Sequence, residues 1–433
     1  MLKYYLQLAL LSLRQHRVLT ALMVLTLAVG IGASMTTLTV MRVLSGDPVP
    51  SRQGQLFHPE VDPWPMDRYV AGQTQPPPNL SYADAMGLMH ASRATQQVTL
   101  TTSRAKLLPH ANGEHPFFAD TVMTTHGFFG TFDTPFEYGG GWSQAQDDSR
   151  ERVMVIADAL NRKLFGGTNS VGKSLRVAGH DYRIVGVLAP WDPQPRFYDL
   201  TLRGRGYGAG DMLYMPLEAA LDDGLHSSTM NCYDSGDFSK PRVAPCMWLT
   251  LWVRLTSSAQ QRDYRAMLHS YVKQQIAMGR LHRPDARLMS MRQWLDDRQA
   301  VPDDVRVQTG MALGFLLICI VNTIGLLLAK CLRRSREIGT RRALGASRAA
   351  IFAQFMVESA IVGLSGGVLG LVLAEIGLWG VRHQPVSYAS LAHLDPLMFA
   401  FTFVVAVSAA LLAGLLPAWR ACVVAPAPQL KAG

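Results

Sequence analysis

Long runs of apolar residues divide the sequence into membrane and non-membrane parts. Four runs contain few or no charged residues: 18–41, 308–329, 351–380 and 397–419. About 20 consecutive apolar residues are enough for a helix to cross the ~30 Å hydrocarbon core of a bilayer. In that medium the backbone satisfies its hydrogen bonds internally, which a helix does. The pattern therefore predicts four transmembrane helices over these residues.

Residues 43–306, between the first two runs, show the shorter periods of a folded domain. The stretches "QVTLTT" and "MWLTLWVRL" alternate like strands, whereas "SYADAMGLMHAS" and "YRAMLHSYVKQQI" have helical spacing of apolar residues. In the last of these, the apolar face consists of Tyr264, Met267, Leu268 and Tyr271. The mixture predicts an α+β domain inserted between helices 1 and 2. Residues 191–245 are rich in Gly, Asp and Pro, and we interpret them as an inserted lobe.

Basic residues are concentrated on one side of the predicted membrane. Outside residues 43–306 the chain holds 14 of its 41 Lys and Arg residues but only four of its 32 Asp and Glu residues. Twelve of the 14 fall in residues 1–17, 330–350 and 420–433. By the positive-inside rule these three segments are cytoplasmic and residues 43–306 are outside. The pI near 9.4 is then a sign of topology, and a nucleic-acid partner is not expected.

The cysteines agree with this topology. Cys232 and Cys246 lie in the part predicted to be outside, where a disulfide is stable. They flank the short loop "CYDSGDFSKPRVAPC". The sequence leaves two interpretations open, a Cys232–Cys246 disulfide or two separate buried thiols.

Two short motifs resemble enzyme signatures in the wrong context. Residues 167–174, "GTNSVGKS", match a Walker A pattern, but a helix is predicted before them and a hairpin after them, the reverse of a P-loop. Residues 363–367, "GLSGG", match a nucleophile elbow inside an apolar run, where small residues favour helix packing. We expect packing roles for the small residues here, which are Gly363, Ser365, Gly366, Gly367 and Gly370. No catalytic residue and no metal site is predicted.

The stretch "KCLRRSREIGTRRALGAS" is the most informative part of the sequence. Seven basic residues lie between Lys330 and Arg348, against the single acidic residue Glu337. Contact with anionic lipid would account for the charge alone. Apolar Ile338 and Leu344 interrupt that charge. The interruption favours a short helix that docks into a groove of another protein.

Several stretches together resemble the FtsX-like permease family of ABC transporters, in particular its MacB-type members. "SREIGTRRALGAS" is similar to the signature between the second and third membrane helices, and "GLLPAWRACVVAPAPQLK" to the C-terminal run. "VMVIADALNRKLFGGTNSVGKSLRVAGHDYRIVGVL" resembles a segment of the periplasmic core domain. The likeness covers nearly the whole chain and is weakest at residues 191–245.

The resemblance implies a permease that couples ATP hydrolysis in a cytoplasmic ABC ATPase dimer to movement of the outer domain. ATP and Mg would bind that partner, so no cofactor is expected in this chain. A second permease, either a copy or a relative, is implied, and a periplasmic adaptor is a further candidate partner. The setting would be the bacterial inner membrane with both termini cytoplasmic. The residues implied in ATPase coupling are Arg336, Glu337, Ile338, Gly339, Arg341, Arg342, Leu344 and Gly345.

The resemblance leaves two functions open. In one, the permease exports or extracts a peptide, an antibiotic or a lipoprotein. In the other, the same movement signals to an outer partner such as a hydrolase. A soluble partner bound to the outer domain, without exported cargo, would distinguish the second.

Three polar residues lie inside the predicted spans. Asn322 is in the second span, and Glu358 and Glu375 are in the third. An ionisable side chain within hydrocarbon is costly and usually faces protein. We expect Glu358 to pair with Asn322 or with a basic residue of the 330–350 loop, and Glu375 to reach towards the outer membrane surface.

Overall fold

The computed structural model describes residues 15, 17–66, 75–91, 94–109, 115–202, 206–208, 210–234, 237, 239–386, 388–394 and 396–423. The chain divides into two compact units. Unit 1 combines Met1–Ser45 with Val301–Gly433, and unit 2 is Gly46–Ala300. The family resemblance also implies an amphipathic interfacial helix at residues 1–17, and most of that segment and of the predicted cytoplasmic tail at 420–433 lies outside the described residues.

The helices and strands of the described residues are as follows. The helices are α1 Arg17–Leu44, α2 Tyr82–Ala91, α3 Phe128–Phe132, α4 Gln144–Asp148, α5 Asp158–Phe165, α6 Leu217–Asp222, α7 Ser258–Ala277, α8 Met291–Asp297, α9 Asp303–Arg333, α10 Ser335–Ala343, α11 Arg348–Arg382 and α12 Pro396–Val423. The strands are β1 Leu56–Val61, β2 Leu80–Ser81, β3 Gln96–Leu108, β4 Phe117–Thr124, β5 Phe136–Gly139, β6 Val153–Ile156, β7 Ser174–Val177, β8 His180–Leu188, β9 Leu213–Pro216, β10 Asn231–Cys232, β11 Cys246–Arg254 and β12 Ala286–Ser290. Two short 3-10 helices lie at Pro50–Arg52 and Ala389–Leu391.

Among the described residues, four helices are long and apolar enough to cross a membrane, and all four belong to unit 1. They are α1, α9, α11 and α12, which confirms the predicted number of spans. The short helix α10 lies between the second and third of them. Many of their large apolar side chains are exposed. Such exposure is expected of residues that face lipid, because contact with the hydrocarbon core does not cost an apolar side chain free energy.

Helix α11 packs against α1 and α12 through its small residues. Gly366 and Gly370 face α1, and Gly363 and Gly367 face α12. These four glycines play the packing role that the sequence predicted, since they allow the backbones to approach closely. Ser365 does not, because it lies on the exposed side of the helix.

Unit 2 is built on one mixed sheet with helices on both faces. The strand order is β12-β1-β11-β3-β4-β9-β6-β8-β5, and β2, β7 and β10 pair beside this path. Most neighbouring pairs are antiparallel, whereas β4–β9 and β6–β8 are parallel. The predicted α+β class is therefore confirmed.

Strand β11 forms where the sequence predicted a strand, but it is buried on both faces. Eight of its nine residues are buried. Leu251 and Val253 belong to the core on one face of the sheet, and Trp252 belongs to an aromatic core on the other. A strand with one solvated face alternates apolar and polar residues. Both faces of β11 are covered, so polar residues such as Thr250 are buried as well.

Residues 191–245 do not form the separate lobe that we interpreted from their composition. Residues Leu213–Pro216 form β9, which lies inside the main sheet between β4 and β6. A disulfide joins Cys232 and Cys246, which are directly opposite each other on the antiparallel strands β10 and β11. The Gly-, Asp- and Pro-rich composition did not reveal β9, because a strand of four residues is too short to show a period.

Candidate functional site

The candidate site lies where α9 ends and α10 and α11 begin. Helix α9 carries Lys330 and Arg333 in its last turn, where cations interact favourably with the helix dipole. Helix α10 has Glu337 in its first turn. It ends before Gly345, whose φ of 98° is a left-handed conformation that glycine adopts without strain. Ser347 then caps α11 by accepting a hydrogen bond from the Ala350 amide.

A buried ion triad joins the three helices. Lys330 Nζ lies 2.9 Å from Glu358 Oε2, and Arg334 Nη1 lies 2.9 Å from Glu358 Oε1. The side chains of Lys330 and Glu358 are each only 1% exposed. Charges removed from solvent in this way depend on each other, because losing one leaves an unpaired buried charge. Of the two predicted classes of partner for Glu358, the structure has the basic residues. Asn322 is exposed on α9 instead.

The ion network continues along α10. The guanidinium of Arg334 donates two hydrogen bonds to Glu337, with Nε and Nη2 at 2.9 and 3.1 Å from its oxygens. Arg341 Nη2 lies 2.6 Å from Glu337 Oε1, and Arg341 Nη1 donates to Gln354 Oε1 on α11 at 3.0 Å. Alternating charges thus connect the end of α9, the length of α10 and the first turns of α11.

An apolar contact reinforces these ion pairs. Ile338 and Gly339 are buried on the inner side of α10. Ile338 packs in a cluster with Cys331, Ile351, Phe355 and Ala418, which come from α9, α11 and α12. Residues 334, 338 and 341 share one face because of the helical period. The inner face of α10 is therefore attached to its own bundle.

The predicted coupling residues divide between the two faces of α10. Glu337, Ile338, Gly339 and Arg341 contribute to the internal attachments, and Arg342 is half-buried. Leu344 is 83% exposed, and no atom of the described residues lies within 4 Å of a Cβ placed on Gly345. The side chain of Arg336 lies outside the described part of the structure. The exposed part of the predicted set is thus the C-terminal end of α10.

Sequence reasoning did not single out Lys330, Arg334 or Gln354. A signal was present, since Lys330 and Arg334 are four residues apart at the end of an apolar helix and the next span contains Glu358 near the same end. What the sequence lacked was the relative rotation of α9 and α11. That rotation decides which of several nearby basic residues meets Glu358.

The remaining predicted residues lie elsewhere. Glu375 is half-exposed and pairs with Arg382 Nη2 at 2.7 Å. The same guanidinium donates a hydrogen bond through Nη1 to the Ala392 carbonyl. The Walker-like segment is a turn from helix α5 to strand β7, as its flanks predicted. Its Lys173 Nζ lies 4.7 Å from the centre of the Phe165 ring. That lysine packs on an aromatic side chain, and a helix precedes the turn where a P-loop has a strand.

Comparisons with known proteins agree with both units. Residues 20–271 match the family model of the MacB-like periplasmic core domain. Residues 309–426 match the model of the FtsX-like permease C-terminal region. The second match contains the ion triad and α10.

Curated relatives are similar over most of this chain. The ABC transporter permease YvrN of Bacillus subtilis (strain 168) is 22% identical over 70% of this chain and 68% of its own length. The macrolide export ATP-binding/permease protein MacB of Shewanella sp. (strain W3-18-1) is 22% identical over 86% of this chain and 52% of its own length. The pyoverdine export protein PvdT of Pseudomonas entomophila (strain L48) is 24% identical over 69% and 41%. The chain spans about half or less of the length of these two exporters.

Solved structures with a similar outline are distant. The periplasmic region of MacB from Actinobacillus actinomycetemcomitans is 14% identical, covers 56% of this chain and 92% of its own, and has a TM-score of 0.36. The extracellular domain of the transporter YknZ from Gram-positive bacteria is 14% identical, covers 54% and 100%, and has a TM-score of 0.35. The assignment therefore depends on the sequence models. Since the first model alone matches more than half of the chain and the second covers the last three of the four candidate membrane helices, the chain is a membrane protein that belongs to the MacB-like, FtsX-like family of ABC transporter permeases.

Proposed function

We propose that this chain is the permease subunit of an ABC transporter, and that α10 receives movement from a cytoplasmic ATPase. The observation that carries this proposal is the two-sided environment of α10. Its inner face is held by the Glu358 triad and by Ile338, and its C-terminal end presents Leu344, which is 83% exposed. Arginine is enriched among the residues that dominate protein–protein contacts, and the exposed Leu344 adds an apolar surface next to Arg341 and Arg342 in the chain.

The internal attachments make α10 suitable for transmitting a displacement. Breaking a buried ion pair by removing one partner typically costs about 3–5 kcal/mol. A push on Leu344 would therefore move α10 together with the ends of α9 and α11 rather than detach it from them. Helix α9 follows unit 2 in the chain, so its movement is the direct covalent route to that unit.

The implied assembly follows from this role. Two cytoplasmic ATPase subunits would bind ATP and Mg and dock against α10 of each of two permeases, in the bacterial inner membrane with both termini in the cytoplasm. MacB and PvdT are named for export of macrolides and pyoverdine. Export or extraction of a substrate through movement of unit 2, with or without a periplasmic adaptor, is the function we favour for this chain.

Helix α9 offers a surface for the second permease. Gly310, Gly314, Asn322 and Gly325 are exposed and share one side of the helix. Small residues let two membrane helices approach closely, and an amide can hydrogen-bond across such a contact. We propose that this surface, called the α9 glycine face below, packs against the mate.

The test is purification of the tagged full chain from its native membrane in mild detergent, followed by identification of co-purifying proteins. We expect an ABC ATPase with the wild type, and loss of that ATPase with Leu344→Asp. Val243→Asp is the matched control, since Val243 is 77% exposed but lies in unit 2. Absence of any ATPase from the wild-type sample, or its retention with Leu344→Asp, would contradict the proposal.

A further inference from the structure

A buried glutamate in unit 2 has no hydrogen-bond partner. Glu60 lies on β1 and its side chain is fully buried. Neither carboxyl oxygen is hydrogen-bonded within the described residues. A buried polar group normally finds a partner, because an unsatisfied one loses its hydration without compensation. The exception at Glu60 therefore needs an explanation.

Two arginines face Glu60 without bonding to it. Arg287 is its partner across the β1–β12 pair, with Nη1 3.8 Å from Oε2, and Arg298 Nη2 lies 4.0 Å from Oε1. Both guanidinium groups are engaged by Asp297 instead, which contacts Arg287 Nη2 at 3.1 Å and also pairs with Arg298. Asp297 thus takes the hydrogen bonds that an ionised Glu60 would require.

The site occupies an edge of unit 2 that leads to the membrane helices along the chain. β12 is the last strand in the sheet order and its neighbour is β1. β1 is the first strand after α1, while β12 is followed by α8 and then by α9. Terminal strands are held on one side only, so they open locally more easily than central strands.

We propose that Glu60 is a proton-binding site that keeps the β1–β12 edge closed when it is protonated and favours opening of that edge when it is ionised. Protonation removes a buried charge and therefore the need for hydrogen bonds from arginine. Ionisation leaves a carboxylate that is better solvated in the open edge than in the closed one. The pH of the compartment that unit 2 faces would then set how often the edge opens.

The pKa of Glu60 is shifted in the direction that the proposal requires. Burial raises the pKa of Glu60 from 4.5 to about 7, against the opposing pull of Arg287 and Arg298, and Asp297 adds to the rise. A carboxyl whose pKa is higher in the closed state holds the proton more tightly there, so closure is favoured at low pH and weakens as pH rises from 4.5 through 7. The transition falls near neutral pH.

Neighbouring titratable groups are distinguishable from Glu60. His58, on the same face of β1, has its pKa lowered to about 4 by burial, so it stays neutral across the range of interest. Burial also raises the pKa of Asp62, which lies 2.6 Å from Arg283 Nη1, and that arginine opposes the rise. His58 therefore does not account for a transition near pH 7, and Glu60→Gln separates the contribution of Glu60 from that of Asp62.

The test is hydrogen–deuterium exchange of the full chain in lipid nanodiscs from pH 5.5 to 8.5, with exchange times corrected for the intrinsic effect of pH. For peptides from β1 and β12 we expect opening to increase by about 30-fold over this range, half-maximal near pH 7 and level above it, since about 1.5 units separate 5.5 from 7 and each unit corresponds to a tenfold change. Glu60→Gln cannot ionise and should abolish the transition. Glu151→Gln is the control, because Glu151 is exposed and paired with Arg183 at 2.6 Å.

A second variant keeps the test decisive if Glu60→Gln fails to fold. Asp297→Asn removes a negative charge and frees both arginines for Glu60, so the midpoint should move to lower pH. A wild-type edge whose protection does not change with pH would overturn the proposal. So would a transition that persists in Glu60→Gln, or a midpoint that Asp297→Asn leaves in place.

Discussion

Helices α9 and α11 both contain glycines four residues apart, but the two sets have different surroundings. In α11, a Cβ added at Gly363 would lie 2.3 Å from the Cβ of Ala410, and one added at Gly367 would lie 2.7 Å from the Cβ of Ala406. In α9, no atom of the described chain lies within 4 Å of a Cβ added at Gly310 or Gly314. The α11 glycines make close contacts within this chain, whereas the α9 glycines face open space among the described residues.

A small-residue motif therefore identifies a helix that can pack closely against another helix, but it does not identify which helix is the partner. Both sets fit G-x-x-x-G in an apolar helix. In α11 the partners are α1 and α12 of the same chain. For the α9 glycine face we propose a second permease. Substitutions that disturb one set and not the other separate folding from assembly.

The largest effect is expected where α11 meets α9 through charge. Glu358→Ala leaves Lys330 and Arg334 without their shared carboxylate, and should lower the stability of unit 1 by about 3–5 kcal/mol. Glu375→Ala, on the same helix but half-exposed, should cost at most about 1 kcal/mol. Thermal unfolding of both variants in one detergent measures the difference. Equal midpoints would contradict the buried triad.

A smaller effect is expected at the glycines themselves. Gly363→Ala forces α11 and α12 apart and should destabilise unit 1 by about 1–3 kcal/mol through overpacking. Gly314→Ala meets no atom of the residues that the structure describes and should be neutral or stabilising by up to about 1 kcal/mol, since alanine is the better helix former. The same unfolding assay compares them. If Gly314→Ala were the more harmful, the assignment of the two helix faces would be wrong.

The α9 glycine face should affect assembly rather than folding. Gly314→Leu should weaken pairing of permeases at least tenfold, or about 1.4 kcal/mol, while the monomer unfolds at the wild-type temperature. Ala400→Leu, at an exposed position on α12, is the control. Single-molecule photobleaching in nanodiscs formed at several protein-to-lipid ratios counts the chains. If Gly314→Leu paired as strongly as the wild type, the α9 glycine face would not be the interface.

The sequence predicted those features that depend on local periodicity. The four spans follow from uninterrupted apolar runs, and the helix–turn–hairpin around Lys173 follows from the change of period on either side of the glycines. The hairpin turn is shorter than the Ala-Gly-His-Asp stretch of the sequence suggested, because His180 and Asp181 already belong to β8 and Val177 lies opposite His180.

What the sequence did not predict depends on contacts between distant residues. The pairing of β9 with β4 joins segments about 90 residues apart, and a four-residue strand carries too little pattern to reveal it. The same applies to Glu358, whose partners depend on how α9 and α11 are rotated. Between the second and third spans the sequence predicted a short helix, which the structure has as α10. The sequence could not separate Ile338, which is buried, from Leu344, which is exposed.

The most direct test of the proposed coupling role is the sidedness of Leu344. In a background with Cys319, Cys331 and Cys422 replaced by serine, Leu344→Cys and Lys173→Cys each place one reactive thiol at an exposed position in unit 1 or unit 2. Intact cells are treated with a membrane-impermeant thiol reagent that passes the outer envelope, before and after permeabilisation of the inner membrane. We expect Lys173→Cys to react in intact cells and Leu344→Cys to react only after permeabilisation. Reaction of Leu344→Cys in intact cells, with Lys173→Cys protected, would contradict the proposal that α10 meets a cytoplasmic ATPase.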